Sequence, residues 1–288
     1  MKTKIFVCSS SGINEIKHKN TIEAIPLIYK FSDDELFEDS LELSIEAVYN
    51  RLRYEKNSNL DLLNIGHERI SEYLVKAIED GYDNAFFILP NRSVVNLSIP
   101  VKIALEENKD INVAMYQSTE TSIPLAMLAM YADMRFEEGA SVLEVWNELV
   151  AYENISNIFI FTPSITKEQS ANFEKSFKKG TYHIFKDGKL MPTPDIKKNN
   201  ALEIMINEFS EEIEDKEIIP FVLTTDKSSK YNEIIINSLK EIENDLNKKA
   251  LDKVRIFNLP VPFGIRCGIN SIAIGYIEAK KGFILEKK

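Results

Sequence analysis

Three short polar stretches hold the side chains that could do chemistry. The first is "CSSSGIN", in which Ser9, Ser10 and Ser11 close a short apolar run. Hydroxyls and backbone N–H groups in such a loop can hold an anionic head group, because α/β proteins gather ligands at the carboxyl ends of their strands. The same serines also make good helix caps, Ser10 or Ser11 above all. The second stretch is "LPNRSVVNLS", where Pro90, Asn91, Arg92, Ser93 and Asn96 separate an apolar run from a helical pattern. Amide and hydroxyl donors beside one guanidinium suit a carboxylate or phosphate. The alternative is again a cap, with Arg92 in solvent.

The third stretch is "PVPFGIRCGINSIAIGY", residues 260–276. The chain has ten glycines, and Gly264, Gly268, Gly275 and Gly282 all fall in this stretch or just beyond it. Glycine lets the backbone adopt positive φ or approach a neighbour closely. Around Arg266 the glycines would bring backbone N–H groups and a guanidinium to one anion, with Val261, Phe263, Ile265, Ile269 and Ile272 at its apolar end. The alternative is a glycine-marked bulge in a strand, with Arg266 in a surface ion pair.

Catalytic constellations are missing. The sequence has no Ser-His-Asp set, P-loop or GxGxxG. Cys8 and Cys267 have no base at a telling spacing, and no pair of the many carboxylates stands out. Two cysteines with His18, His67 and His183 give no zinc spacing, so neither a metal nor a cofactor is expected, and no catalytic residue is assigned. A net charge of −10 argues against a non-specific nucleic-acid binder, which carries a basic face. The apolar run at the N-terminus, Ile5 to Cys8, is shorter than the ~7–15 residues of a signal peptide. No run reaches the ~20 residues of a membrane span. A cytoplasmic protein is the expectation.

Alternating strand and helix signals must position these stretches. "KIFVC", "NAFFILP" (84–90), "INVAMY" (111–116) and "NIFIFT" (157–162) read as strands. Residues 32–54 read as a helix, acidic early and with Arg51 and Arg53 late, as the helix dipole prefers. "ERISEYLVKAIEDG" places Ile70, Tyr73, Leu74, Ala77 and Ile78 on one helical face. From Ile123 to Met134 almost every position is apolar or small, the mark of a helix buried on all sides. "SVLEVWNELVAY" is amphipathic. Past Pro163, "TYHIFKDGKLMPTPD" reads as two strands about an Asp187-Gly188 turn. A helix near 201–213, the strand "IIPFVLTT", a long helix near 229–248 and "KVRIFNL" follow. The 288 residues accommodate two α/β domains: a parallel-sheet N-terminal domain over 1–162 and a smaller C-terminal domain over 163–288 with antiparallel strands.

In this order the segments resemble the DegV family of bacterial fatty-acid-binding proteins. "KIFVCSSSGI" resembles the family's first strand and Asp-Ser-Thr loop, with Ser9 in place of Asp. "SEYLVKAIEDGYDNAFFILPNRSVVNLS" resembles its helix, Gly-Tyr-Asp corner and strand, with Gly81, Tyr82 and Asp83 matching. Ser118, Gly139 and Ser141 match its Asp-Ser strand end and Glu-Gly-x-Ser junction. "FKDGKLMPTP" is similar to its Asp-Gly hairpin, and Gly264 and Gly268 are retained from its Gly-x-His-x-Gly-Pro-Gly segment. There are departures. Leu62 and Leu63, beside Asn64, stand where the head-group Thr and Ser are expected. Asn91 and Arg92 replace paired serines, Asn96 replaces a glycine and Arg266 replaces the histidine. "TPSITKEQSANF" stands where a Gly-Gly-Arg segment is usual.

The resemblance implies a lipid held in the cleft between the two domains. Its acyl chain would run into the first domain along Ile123, Ala126, Met127 and Met130. Its head group would meet Ser10, Ser11, Asn64, Asn91, Arg92, Ser93, Asn96, Gly264, Arg266 and Gly268. It also implies a non-catalytic carrier that holds no nucleotide and presents a long-chain fatty acid to a separate fatty acid kinase subunit, with transient contact at a membrane surface. Two alternatives stay open: an altered ligand, such as a phosphorylated or larger lipid, and a protein-interaction module that has lost lipid binding. An enzyme with its own chemistry has no support in the residues.

Overall fold

Uninterrupted apolar runs become strands covered on both faces, as parallel sheets require. The computed structural model describes residues 2–32, 35–39, 42–55, 59–63, 65–164, 179–193, 200–246, 251 and 254–286. Strand β1 (Thr3–Cys8) is buried at every position and runs into two 3-10 turns, Ser9–Ser11 and Ile13–Glu15. There follow β2 (Ile22–Ile25), β3 (Ile28–Phe31), β4 (Leu36–Glu38), α1 (Ile45–Tyr54), β5 (Leu60–Leu63), α2 (His67–Glu79) and β6 (Asn84–Leu89). Next come α3 (Ser98–Glu107), β7 (Asn112–Gln117), α4 (Ser122–Glu137) and α5 (Val142–Ala151). The rest of the chain supplies β8 (Ser156–Thr162), β9 (Thr181–Lys186), β10 (Lys189–Pro192), α6 (Ala201–Ile213), β11 (Ile218–Thr224), α7 (Lys230–Leu246), β12 (Arg255–Asn258), α8 (Val261–Cys267) and β13 (Ile272–Glu278).

The expected parallel sheet forms in the order β2-β1-β6-β7, with Ile5 opposite Phe86 and Phe86 opposite Ala114. The expected antiparallel component is a six-stranded sheet, β10-β9-β8-β13-β11-β12, in which only the β11–β12 pair is parallel. The Asp187-Gly188 turn closes β9 on β10, with φ values of 49° and 71°. Positive φ at both positions is what a two-residue hairpin requires.

The sequence places a domain boundary after Thr162, the last residue of β8. Strand β8 pairs with β9 and β13 and so belongs to the second sheet. The helix expected over 32–54 is corrected. Leu36–Glu38 pairs with β3, and a small antiparallel sheet β4-β3-β5 takes the first part of that stretch. The helix begins only at Ile45, where Ser44 Oγ accepts from the Ala47 N–H at 3.2 Å. Of the early acidic residues that suggested a helix N-terminus, Glu38 instead lies in β4, and Arg51 stacks 4.0 Å over the Phe31 ring.

Two apolar cores meet at the junction of the sheets. One packs α4 against the parallel sheet and continues through Ile158, Ile160, Phe185, Phe221 and Phe263 of the second sheet and α8. The other lies on the opposite face of the parallel sheet under α1, α2 and α3, and takes Val261, Ile265 and Ile269 from α8 and the turn after it. Helix α8 is therefore a wedge with one face in each core.

Helix α4 runs through the first core with 11 of its 16 residues buried. Each fully buried Leu, Ile or Met contributes about 1.5–3 kcal/mol, so Ile123, Leu125, Met127 and Leu128 hold it in place without a capping side chain. The chain then returns over its far end, where Phe283 packs edge-on to Tyr131 and Tyr152 at 5.8 and 5.6 Å.

Candidate functional site

The carboxyl ends of β6 and β7 face the β9–β10 turn and the end of α8. Asn91, just past β6, is the hub. Its backbone N–H donates to Glu120 O at 2.9 Å, its Nδ2 donates to Thr119 O at 2.9 Å, and its Oδ1 accepts from the Ser93 N–H at 2.8 Å. Ser93 Oγ donates to Gly188 O at 3.4 Å, and the Arg266 guanidinium donates to Ser93 O. A Cβ on Gly188 would sit 2.5 Å from Asn91 Nδ2 and 3.6 Å from Thr119 Cβ. The hairpin reaches this close because that residue has no side chain.

The β7–α4 loop forms the floor. Glu120 is only 3% exposed. Its carboxylate accepts from the Ile155 N–H at 3.1 Å and Ser156 Oγ at 2.5 Å, which ties the loop to β8. Burial is the main cause that pushes this carboxyl up to about 7. The next two residues start α4. Thr121 and Ser122 are natural capping residues, yet the helix has no side-chain cap. Thr119 Oγ1, Thr121 Oγ1 and Ser122 Oγ are all buried with no hydrogen-bond partner, and Ser122 takes φ of 53°, the left-handed region that L-residues avoid.

Of the residues expected at a head group, the structure brings together Asn91, Ser93 and Arg266. The other described residues make contacts of their own. Arg92 is exposed, and its Nε donates to Gln117 Oε1 at 3.1 Å. Asn96 Oδ1 accepts from the Ser98 N–H and hydroxyl at 3.2 and 2.7 Å, a local turn at the start of α3. Ser10 Oγ donates to Cys8 Sγ at 3.1 Å and Ser11 Oγ accepts from the Ile13 N–H at 3.2 Å, both buried in the turn beneath α4. Asn64 lies outside the described residues, as do most of those in the "TPSITKEQSANF" segment.

The segment holding Gly264 is a helix rather than a bulged strand. A Cβ on Gly264 would fall 2.0 Å from Tyr49 Oη, so that glycine admits the tyrosine. Tyr49 Oη in turn donates to Leu259 O at 2.8 Å. Gly268 ends α8 at φ of 104°, its N–H bonded to Gly264 O at 2.9 Å. Arg53 Nη2, from α1, donates to Thr225 O at 2.5 Å and Ile269 O at 3.0 Å and pins the same turn.

Ile123, Ala126 and Met127 are at most 1% exposed, in contact with the first core. Met130 lines a cavity of about 230 Å³ with Ile22, Met134, Lys17 and Lys19 at the far end of α4. Burial pushes the Cys8 thiol up to about 12 and keeps it protonated. Among the described residues no cluster of three His, Cys, Asp or Glu is placed to hold a metal ion. Sequence reasoning missed Thr119, Glu120, Thr121, Ser122 and Gly188. The run "TETS" before an apolar helix reads as an ordinary cap, and only the fold shows that its hydroxyls do not cap.

No family model and no curated protein matches the sequence. Solved structures do. A fatty acid binding DegV family protein from Streptococcus agalactiae superposes with a TM-score of 0.79 at 14% identity, over 97% of this chain and 100% of that one. DegV of Bacillus subtilis, described as a fatty acid binding protein, gives 0.76 at 14% identity over 97% and 100%. A Thermotoga maritima protein described as revealing a fatty acid binding function gives 0.72 at 19% identity over 97% and 100%. This is the DegV fold. Its α/β architecture, a parallel sheet beside a largely antiparallel one, is the one the resemblance implied. No described helix of this DegV-fold chain is long and apolar enough to cross a membrane.

Proposed function

We propose that the protein is a non-catalytic carrier that binds a long-chain fatty acid, with the acyl chain along α4 and the carboxylate at the junction of Asn91, Ser93 and Arg266. The observation that carries this reading is α4 itself. It is apolar on every face and runs from a polar junction into the first core, within a fold whose solved members include proteins described as fatty-acid-binding. From Ser122 to Met134 the helix rises about 18 Å, and its far end opens on the cavity at Met130. Burying an acyl tail releases about 0.8 kcal/mol per CH₂, enough to displace flexible side chains such as Met127 and Met130. The carboxylate end stays at the junction, where a fatty acid kinase subunit could reach it, and the carrier acts in the cytoplasm with transient contact at membranes.

Native mass spectrometry of protein purified from cells tests the reading. A retained mass of a few hundred daltons supports a carrier, and its size separates a free fatty acid from a phosphorylated or larger lipid. A bare chain that gains no thermal stability with any fatty acid supports the second reading, an interaction module. The close fit of Ile123 against Gly12, 3.3 Å from where a Cβ would stand, favours that alternative.

A further inference from the structure

We infer that the first turn of α4 is a carboxylate-binding site, in which the hydroxyls of Thr119, Thr121 and Ser122 are the direct donors. The inference rests on the lipid-binding reading and assigns the anion's contacts within it. Buried polar atoms in folded proteins nearly always find partners, so a cluster that does not calls for an explanation such as a bound polar ligand. Here Thr121 and Ser122 are 1% and 0% exposed, and their side-chain oxygens have no partner. Thr119 Oγ1 is the third such oxygen within four successive residues. All lie at the uncapped start of a 16-residue helix, where backbone N–H groups and the helix dipole favour negative charge. A buried carboxylate needs several donors, and three hydroxyls with the first free N–H groups supply them without a cation.

Thr119 also joins this turn to the junction, since its carbonyl accepts from Asn91 Nδ2 at 2.9 Å. Arg266 then sits at the rim, donating to Ser93 O, and contributes charge at longer range. An acyl chain attached to the bound carboxylate would pass directly onto the apolar surface of α4.

The test compares wild type, the double variant Thr121→Val/Ser122→Ala, and Arg266→Ala. Palmitate affinity is read by displacement of a fluorescent fatty acid, and the Ser122 and Ile123 amides by NMR with palmitate and with millimolar hexanoate. The double variant should lose at least tenfold in palmitate affinity, Arg266→Ala less. Its ligand-free melting temperature should be unchanged or higher, because removing unpartnered buried hydroxyls does not destabilise a fold. Double-variant affinity within twofold of wild type, in a wild type that binds palmitate, overturns the site and leaves the carrier reading standing. If wild type takes no palmitate, the carrier reading falls and hexanoate decides the site. Amide shifts abolished in the double variant keep it, and no amide shift in wild type overturns it.

Discussion

Two helices reach the junction of the sheets, and they finish their polar groups in opposite ways. Helix α8 is closed at every contact: Gly264 receives Tyr49, Tyr49 bonds Leu259 O, Arg53 bonds Ile269 O, and Val261 and Phe263 enter different cores. The start of α4 and the loop before it carry three hydroxyls that bond nothing. The segment with the conspicuous glycines is thus a structural wedge, with Arg266 near its end bonded to Ser93 O. The segment with no conspicuous residue leaves its hydroxyls unpartnered. Bonded and unpartnered polar groups occupy neighbouring but separate residues.

The contrast can be broken or sharpened by substitution. The largest effect should come from Gly264→Ala, whose new methyl would fall 2.0 Å from Tyr49 Oη. We expect a loss of about 3 kcal/mol or more in urea unfolding, and a loss below 1 kcal/mol would remove the wedge from the account. Second is the pH dependence set by Glu120. Its carboxyl is raised from 4.5 to about 7 in the folded chain, so the native state holds more proton than the unfolded one between those values. Stability is then greatest below about pH 4.5 as far as this group is concerned, and falls as pH rises through 7, by about 3 kcal/mol in all. Glu120→Gln should flatten that part of the profile, and an unchanged slope would assign it to other groups.

A smaller change is expected from Arg53→Met, which leaves Thr225 O and Ile269 O without their charged donor. About 2 kcal/mol should be lost, measured by the same unfolding. Smallest of all is Thr121→Val in ligand-free protein, where stability should stay within about 1 kcal/mol of wild type or rise. A larger loss would mean that the hydroxyl has a structural partner after all.

Much of the fold was legible because its signals are local. Runs such as "NAFFIL" are long enough to declare a buried strand, and Asp187-Gly188 declares its own turn type. The helix expected over 32–54 failed at its first half because pairing with β3 outweighed a weak charge pattern. Asn91, Ser93 and Arg266, whose residue types suit an anion, were expected at one place, and the structure sets them beside one another. At Gly264 a close approach was legible but not its neighbour Tyr49, since a glycine does not name what comes near it. Thr119, Thr121 and Ser122 were illegible, because a cap and an unpartnered hydroxyl have the same letters.

By itself the sequence determined most of the long strands and helices, that α4 is buried on all sides, and that the chain carries no recognisable catalytic set. These follow from periodicity and composition, which act between near neighbours. Only the tertiary structure decided that β8 belongs to the second sheet, that α8 divides two cores, and which polar atoms near Asn91 find partners. Those outcomes depend on groups brought together from distant parts of the chain, such as Tyr49 with Leu259 and Glu120 with Ser156. A buried hydroxyl acquires or lacks a partner only once the whole chain has closed around it.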